Sequence, residues 1–316
     1  MIATLARTGL RALATLLVSF VVCFLLLHAM PGDPLDRLES PDVPPEQAER
    51  NRRALGLDRS LPEQFARTAA SYARGELGVS SLRRRPVARV ISEALPYTAL
   101  LGAATLVLGY GLGLPLSLGL IALGDRSRRM LDQALLVLSI VPRFWLGLML
   151  LLLLHDVAGW FPGSHAFSPG GDGTADLLSH LVLPALALGL PAASTVARYE
   201  LTELRRTLDQ PHVRTARARG TGRARLLSRH VLRPSLAPAI TIFGLDLPVI
   251  ASGAIVIEVV FAWPGLGRLT AQSVLESDYP LALGATLMSA TLVVLGRTLA
   301  EGLARWADPR GRAGGG

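Results

Sequence analysis

Residues 211–220 read P-H-V-R-T-A-R-A-R-G and stand at the centre of an arginine-rich run from Arg198 to Arg233. That run holds ten arginines against three acids (Glu200, Glu203 and Asp209), a local net of +7 in a chain whose formal charge is +8. Asp209 suits a helix N-cap, Pro211 suits a first turn, Gly220 suits a stop and Thr221 suits a new cap. The pattern predicts two short helices joined at a glycine elbow. Val213, Ala216 and Gly220 fall at i, i+3 and i+7, which reads as a stripe of small side chains that another surface can approach closely. Apolar segments flank the run on both sides. A basic helix held between membrane spans is the element through which a soluble motor passes force to a membrane protein.

Composition sets the class from another direction. Of 316 residues, 50% are hydrophobic and 18% charged, and the mean hydropathy is +0.41, values that describe a polytopic helical membrane protein. All 32 basic residues are arginine. Without lysine there is neither a Walker A loop nor a Schiff-base nucleophile, so ATP hydrolysis falls to a partner. Cys23, the single cysteine, sits in the first apolar stretch and reads as a buried, inert thiol.

Taken in order, the chain alternates apolar spans with short loops. Residues 1–30 carry Arg7 and Arg11 before an apolar run from about Leu13 to Met30, read as an uncleaved first span with its N-terminus in the cytoplasm. Residues 31–94 are the longest polar stretch, with eleven arginines and ten acids, and are expected to form an extracytoplasmic helical loop with amphipathic helices near Pro44–Leu55 and Leu61–Tyr72. Residues 95–304 supply five more spans, near 96–123, 130–154, 175–197, 235–260 and 281–303, with the coupling loop at 198–233. Arginines at 126, 128 and 129 mark an inside turn, and the outside loop from Trp160 to Thr174 has none. Residues 305–316 form a cytoplasmic tail. The expected fold is an all-α membrane protein of six helices with both termini cytoplasmic.

Ionisable residues fall within the spans, Arg143 and Asp246 near the middle of theirs. Arg143, Asp246 and Glu258 are assigned to the translocation pathway, because charge at membrane depth faces a water-filled cavity or a partner. Counted at ~1.5 Å per residue from the outer ends of their spans, Arg143 and Asp246 lie at similar depth and are expected to come close enough to neutralise each other in at least one state. His28, His155, His165 and His180 lie near the outer face in a spacing that matches no metal-ligand pattern. Phe261 and Trp263 read as an interfacial aromatic belt above a turn at Pro264, Gly265 and Gly267. An intramembrane enzyme is disfavoured, since neither H-E-x-x-H nor G-x-S-x-G occurs. A self-contained channel or secondary carrier is the alternative of a different class, and no inverted repeat supports it.

The run R-T-A-R-A-R-G at 214–220 resembles the cytoplasmic loop of ABC importer permeases, in the form typical of the dipeptide, oligopeptide and nickel branch. M-P-G-D-P at 30–34 and F-A-W-P-G-L-G-R-L at 261–269 resemble that branch as well, in the same order. The general loop pattern's Glu is missing, Pro234 comes one position late, and Leu201, His212, Arg143 and Asp246 depart from common residues. The resemblance implies a type I importer permease in a bacterial inner membrane that binds no cofactor itself. It implies a second permease subunit, two ATPase subunits holding ATP and Mg, an extracytoplasmic substrate-binding protein and surrounding lipid as partners, and no nucleic acid. On that resemblance Val213, Arg214, Thr215, Ala216, Arg217 and Gly220 couple the chain to an ATPase. The substrate is expected to be a peptide, with nickel complexes, glutathione and opine-like conjugates as the family's alternatives.

Overall fold

The computed structural model describes residues 2–29, 59–222, 225–232, 235 and 255–307. The described residues are helical throughout apart from loops and one isolated antiparallel bridge, Val79 with Pro86. The α-helices whose bounds are described are, in order, α1 Ile2–Ala29, α2 Leu61–Ala73, α3 Val87–Ala122, α4 Asp125–Ile140, α5 Arg143–Leu150, α6 Thr174–Leu208, α7 Pro211–Ala218, α8 Leu266–Leu275 and α9 Tyr279–Ala307, and residues 255–260 are helical as well. Two π-helical segments, Leu151–Val157 and Leu226–Leu232, continue α5 and follow α7.

Among the described residues, four stretches are long and apolar enough to cross a membrane: Gly9–Ala29, Val87–Ala122, Thr174–Leu208 and Tyr279–Gly302. The third span expected from sequence is not one straight helix. Asp125–Ile140 and Arg143–Val157 meet at 100°, so together they give a fifth crossing only as a bent pair. The break has a local cause. Val141 and Pro142 are both extended, with ψ of 131° and 126°, and a residue before proline is driven out of the helical region by the proline ring. Residues 236–254, most of the expected fifth span, lie outside the described residues, as do the expected helix at Pro44–Leu55 and the M-P-G-D-P run.

By its contacts the chain forms two compact units. The first comprises residues 1–98 and 264–292, so the polar loop groups with the first span and with the start of the last. Val87, Val90, Ile91 and Ala94 recur at i, i+3, i+4 and i+7 of α3 and bury that face against Leu266 and Leu269 of α8 and Leu281 and Ala285 of α9. Phe20, Phe24 and Leu27 of α1 form a second cluster with Ala282 and Leu283. The apolar face of α2 joins this cluster, with the Phe65 ring 5.5 Å from Phe20 and 5.3 Å from Phe24. Thus α2 lies along the C-terminal half of α1.

Asp278 organises the same unit. It is buried, and its carboxylate accepts hydrogen bonds from the Ser80 hydroxyl, from the Ser81 N–H at 3.1 Å and from the Leu82 and Leu281 N–H groups at 3.4 Å. One side chain therefore caps the start of α9 and holds the tight turn that carries Arg83, Arg84 and Arg85.

The second unit comprises residues 99–263 and 293–316. Here α3 and α6 approach through small residues. A Cβ on Gly109 would lie 3.2 Å from the Ala192 Cβ, and one on Gly113 would lie 2.8 Å from both the Ala193 carbonyl oxygen and the Val196 Cβ. These two glycines form a G-x-x-x-G pair, the spacing that lets apolar helices pack backbone to backbone. Gly189 of α6 does the same against Leu108, at 2.8 Å. Because a backbone oxygen faces Gly113, its neighbours cannot rotate away. Gly113→Leu is expected to destabilise the protein by about 1–3 kcal/mol, read as lower yield and a lower melting temperature in detergent, whereas Gly111→Leu, with nothing within 4 Å of its Cβ, leaves both unchanged.

Phe261 and Trp263 do not form an interfacial belt. Both are almost fully buried, and the Phe261 ring fills the space left by Gly147, where a Cβ would meet Cε2 at 2.9 Å. The sharp bend between them is taken by Ala262, at φ +50°, not by Gly265 or Gly267. The exposed aromatic of the segments expected outside is Trp160.

Candidate functional site

The basic loop is built on the end of α6. This helix has 35 residues, so it is ~52 Å long and outreaches the ~30 Å hydrocarbon layer by about 20 Å. It continues eleven residues past its expected end at Ala197 and closes with Arg205 and Arg206 in its last turn, where cations favour the negative end of the helix dipole. Two polar contacts brace the overhang. Arg198 Nε donates to Asp132 of α4 at 3.0 Å, and the Ser235 hydroxyl donates to the buried Glu200 carboxylate at 2.5 Å, lying also 2.8 Å from the Leu232 carbonyl.

α7 follows after a two-residue connection. Its N-cap is Gln210, not Asp209, which instead ends α6 in a helical conformation. Pro211 takes the first position, where its missing N–H costs nothing. At the other end the Gly220 N–H donates to the Arg217 carbonyl at 3.0 Å and the Thr221 N–H donates to the Ala216 carbonyl at 3.2 Å. This pair of bonds is a Schellman closure, and it requires the left-handed conformation that Gly220 adopts at φ +78°. The predicted elbow is therefore present, with a defined geometry.

The small-residue stripe faces the other way from the sequence expectation. Val213 and Ala216 are buried against Leu204 of α6 and against Leu226 and Val231 of the π-helical segment, so they anchor the helix to its own chain. His212 fixes the same junction, its Nε2 lying 3.2 Å from the His230 carbonyl oxygen. The face left exposed carries His212, Arg214, Thr215, Arg217, Ala218 and Arg219. Any partner of α7 thus meets a guanidinium-rich surface; Gly220 is also exposed, with nothing within 4 Å of a Cβ built there.

The pathway residues do not come together within the described residues. Arg143 is the first residue of α5, just past the bend, so its depth cannot be counted along a straight helix from His155. Asp246 lies outside the described residues. Glu258 is fully buried. Each of three outer histidines has a local role: His28 stacks on Phe24 at 4.0 Å, His155 bonds the Phe161 carbonyl at 2.9 Å and His180 bonds the Asp176 carbonyl at 2.9 Å.

Sequence reasoning passed over Glu200, Asp132, Asp278 and the Gly109/Gly113 pair. The last two had legible signals, an acid immediately before a Tyr-Pro helix start and the G-x-x-x-G spacing. The partners of Glu200 and Asp132 are 35 and 66 residues away and left no local trace.

The described residues thus combine a set of membrane-length helices with a basic, glycine-closed helix at the end of one of them. Residues 100–313 match the model of the binding-protein-dependent transport system inner membrane component, and residues 1–102 match its N-terminal membrane component. The chain belongs to this family of ABC transporter permeases. It is 32% identical over 316 residues to the oligopeptide transport system permease protein AppB of Bacillus subtilis, covering 98% of this chain and 99% of that one. It is 35% identical over 306 residues to a putative peptide permease protein of Brucella suis (94% and 95% covered) and 33% identical over 275 residues to the glutathione transport system permease protein GsiC of Salmonella paratyphi A (87% of each).

Proposed function

We propose that this chain is one of two permease subunits of an ATP-driven importer that carries peptides across a bacterial inner membrane, and that α7 is the seat of an ATPase subunit. The observation that carries the reading is a helix whose apolar face is locked to its own chain while a row of arginines stands exposed beyond the membrane-length part of α6. A surface with that charge suits a groove lined by carboxylates. The full-length likeness to permeases named for oligopeptide and peptide transport supports peptides as the cargo, and a glutathione permease among the relatives is consistent with a γ-linked tripeptide in the same class. Residues 31–94 are assigned to the outer side, where a substrate-binding protein delivers the cargo, and both termini to the cytoplasm.

The decisive experiment is affinity purification of the tagged chain from its native membrane, followed by uptake of labelled tri- to hexapeptides after reconstitution with the cognate binding protein. Recovery of a second permease chain and an ATPase, with ATP-dependent uptake, is expected; purification as a self-sufficient carrier overturns the reading. Sidedness is tested at Arg59, which is exposed. Arg59→Cys in a Cys23→Ser background should react with a membrane-impermeant maleimide applied from the periplasmic side, and labelling confined to the cytoplasmic side reverses the orientation.

A further inference from the structure

The turn that Asp278 holds carries three consecutive arginines, and the coupling mechanism leaves them unused. Residues 80–85 are closed on themselves. The Ser80 N–H donates to the Arg85 carbonyl at 2.9 Å, the Arg84 N–H to the Ser80 carbonyl at 3.0 Å and the Arg83 N–H to the Ser80 hydroxyl at 3.0 Å. Asp278 adds its bonds from Ser80, Ser81 and Leu82, so the backbone of the turn is fixed before any partner arrives. Preorganisation of this kind lowers the entropy that docking costs. Arg84 also stands in the left-handed region, at φ +51°, which a residue with a long side chain rarely adopts. Such strain persists only where the surroundings over-determine it, and it collects at sites that bind.

The tip of the turn has charge to spare. Residues 59–94 hold seven arginines and three acids, a net of +4. Two of those acids are taken, Glu76 by Arg74 at 3.5 Å and Glu93 by Arg85. Arg83 and Arg84 are exposed and have no carboxylate partner among the described residues. Val79 and Leu82, 56% and 36% exposed, flank them. Lipid does not account for this tip. The turn leads directly into α3, where Arg89 and Glu93 keep the first seven residues, ~10 Å of helix, out of the hydrocarbon. The arginines therefore lie past the ~5–7 Å headgroup layer that holds the lipid phosphates. Exposed guanidiniums beside aliphatic side chains fit a protein surface on which carboxylates surround an apolar spot.

We propose that residues 79–84 are the docking point of the substrate-binding protein, whose carboxylates close on Arg83 and Arg84 around Val79 and Leu82. The inference rests on the reading of residues 31–94 as the outer segment of an importer. Because Asp278 ties the same turn to the start of α9, the contact bears directly on a helix of membrane length.

The test measures the Kd of the cognate binding protein for the complete transporter over a range of salt concentrations, in vesicles of phosphatidylcholine with and without phosphatidylglycerol. Arg83→Gln with Arg84→Gln is expected to raise the Kd about tenfold at low salt and to flatten its salt dependence in both kinds of vesicle. Arg67→Gln, which removes an exposed arginine of α2, is expected to leave the Kd as it is. An unchanged Kd in the double variant overturns the proposal, and so does a rise by the same factor at every salt concentration, which means a structural role. An equal rise with Arg67→Gln reports net charge alone, and a rise seen only with phosphatidylglycerol assigns the arginines to lipid; either overturns it as well. Should the double variant fail to assemble, Arg84→Gly removes one guanidinium and relieves the left-handed residue together, and it carries the same measurement with the same outcomes. Failure of the importer reading shows separately, as absence of binding by the wild type, and it removes this inference with it.

Discussion

Gly220→Val is expected to leave the complex assembled and its basal ATP hydrolysis intact while slowing transport about 30-fold. Gly220 holds φ +78°, and no atom lies within 4 Å of a Cβ built there, so the substitution meets no steric block inside the chain. What valine cannot do is sit comfortably in the left-handed region, at a cost of roughly 2 kcal/mol for a β-branched residue, and that is about 30-fold in the population of correctly closed elbows. Gly220→Asn keeps most of the transport, because asparagine tolerates this conformation. The control is charge on the outward face. Arg214→Glu with Arg217→Glu should abolish stimulation of the ATPase without altering the elbow, since both side chains are exposed while Val213 and Ala216 hold the helix in place. Equal transport by the valine and asparagine variants would show that backbone closure at Gly220 has no part in coupling.

The second large effect lies at Asp278. Removing its carboxylate strands the buried Ser80 hydroxyl and Leu281 N–H and releases the part-buried Ser81 and Leu82 N–H groups, at a cost on the order of 3 kcal/mol. That is a large part of the margin by which a domain is stable. Asp278→Ala is expected to accumulate to less than about a tenth of the wild-type level and to be cut by protease between residues 59 and 86. Asp278→Asn retains an acceptor and an N-cap and should recover part of the yield. If alanine and asparagine behave alike, the carboxylate is not what ties the arginine turn to α9.

Class, loop and chain order were readable because they are written in local patterns. Apolar runs near twenty residues, arginines in short inside loops and a Gly at a helix stop each involve neighbours in sequence. The left-handed Gly220 follows from R-A-R-G-T-G alone. Contacts made across the chain left no such mark. Nothing near Ser80 announces Asp278, 198 positions away, and nothing around Glu200 announces Ser235. The direction of the Val213 stripe was ambiguous for a physical reason, since an apolar helix face reads the same whether its own chain or a partner covers it. Pro142 lies inside the expected third span, and a proline sets the conformation of its predecessor and not the angle between the helices on either side. Aromatic identity misled at Phe261 and Trp263, because large rings favour both interfaces and cores, and the vacancy at Gly147 that seats Phe261 lies 114 positions earlier.

The length of α6 turns it into a lever. One helix carries the glycine contact with α3 at Gly189, the Asp132 brace at Arg198 and the Leu204 seat on which α7 rests, so these points move together. With an arm of ~52 Å, each degree of tilt about its N-terminal end sweeps its C-terminal end through about 0.9 Å, and five degrees displaces α7 by about the pitch of a helical turn. Pro184 and Pro191 each remove a backbone hydrogen bond from this rod and are its compliant points, one in the N-terminal half and one at the middle residue. Past Pro191 the arm is uninterrupted for seventeen residues, so any displacement of α7 is carried along it to the level of the two prolines, where it becomes a change of angle.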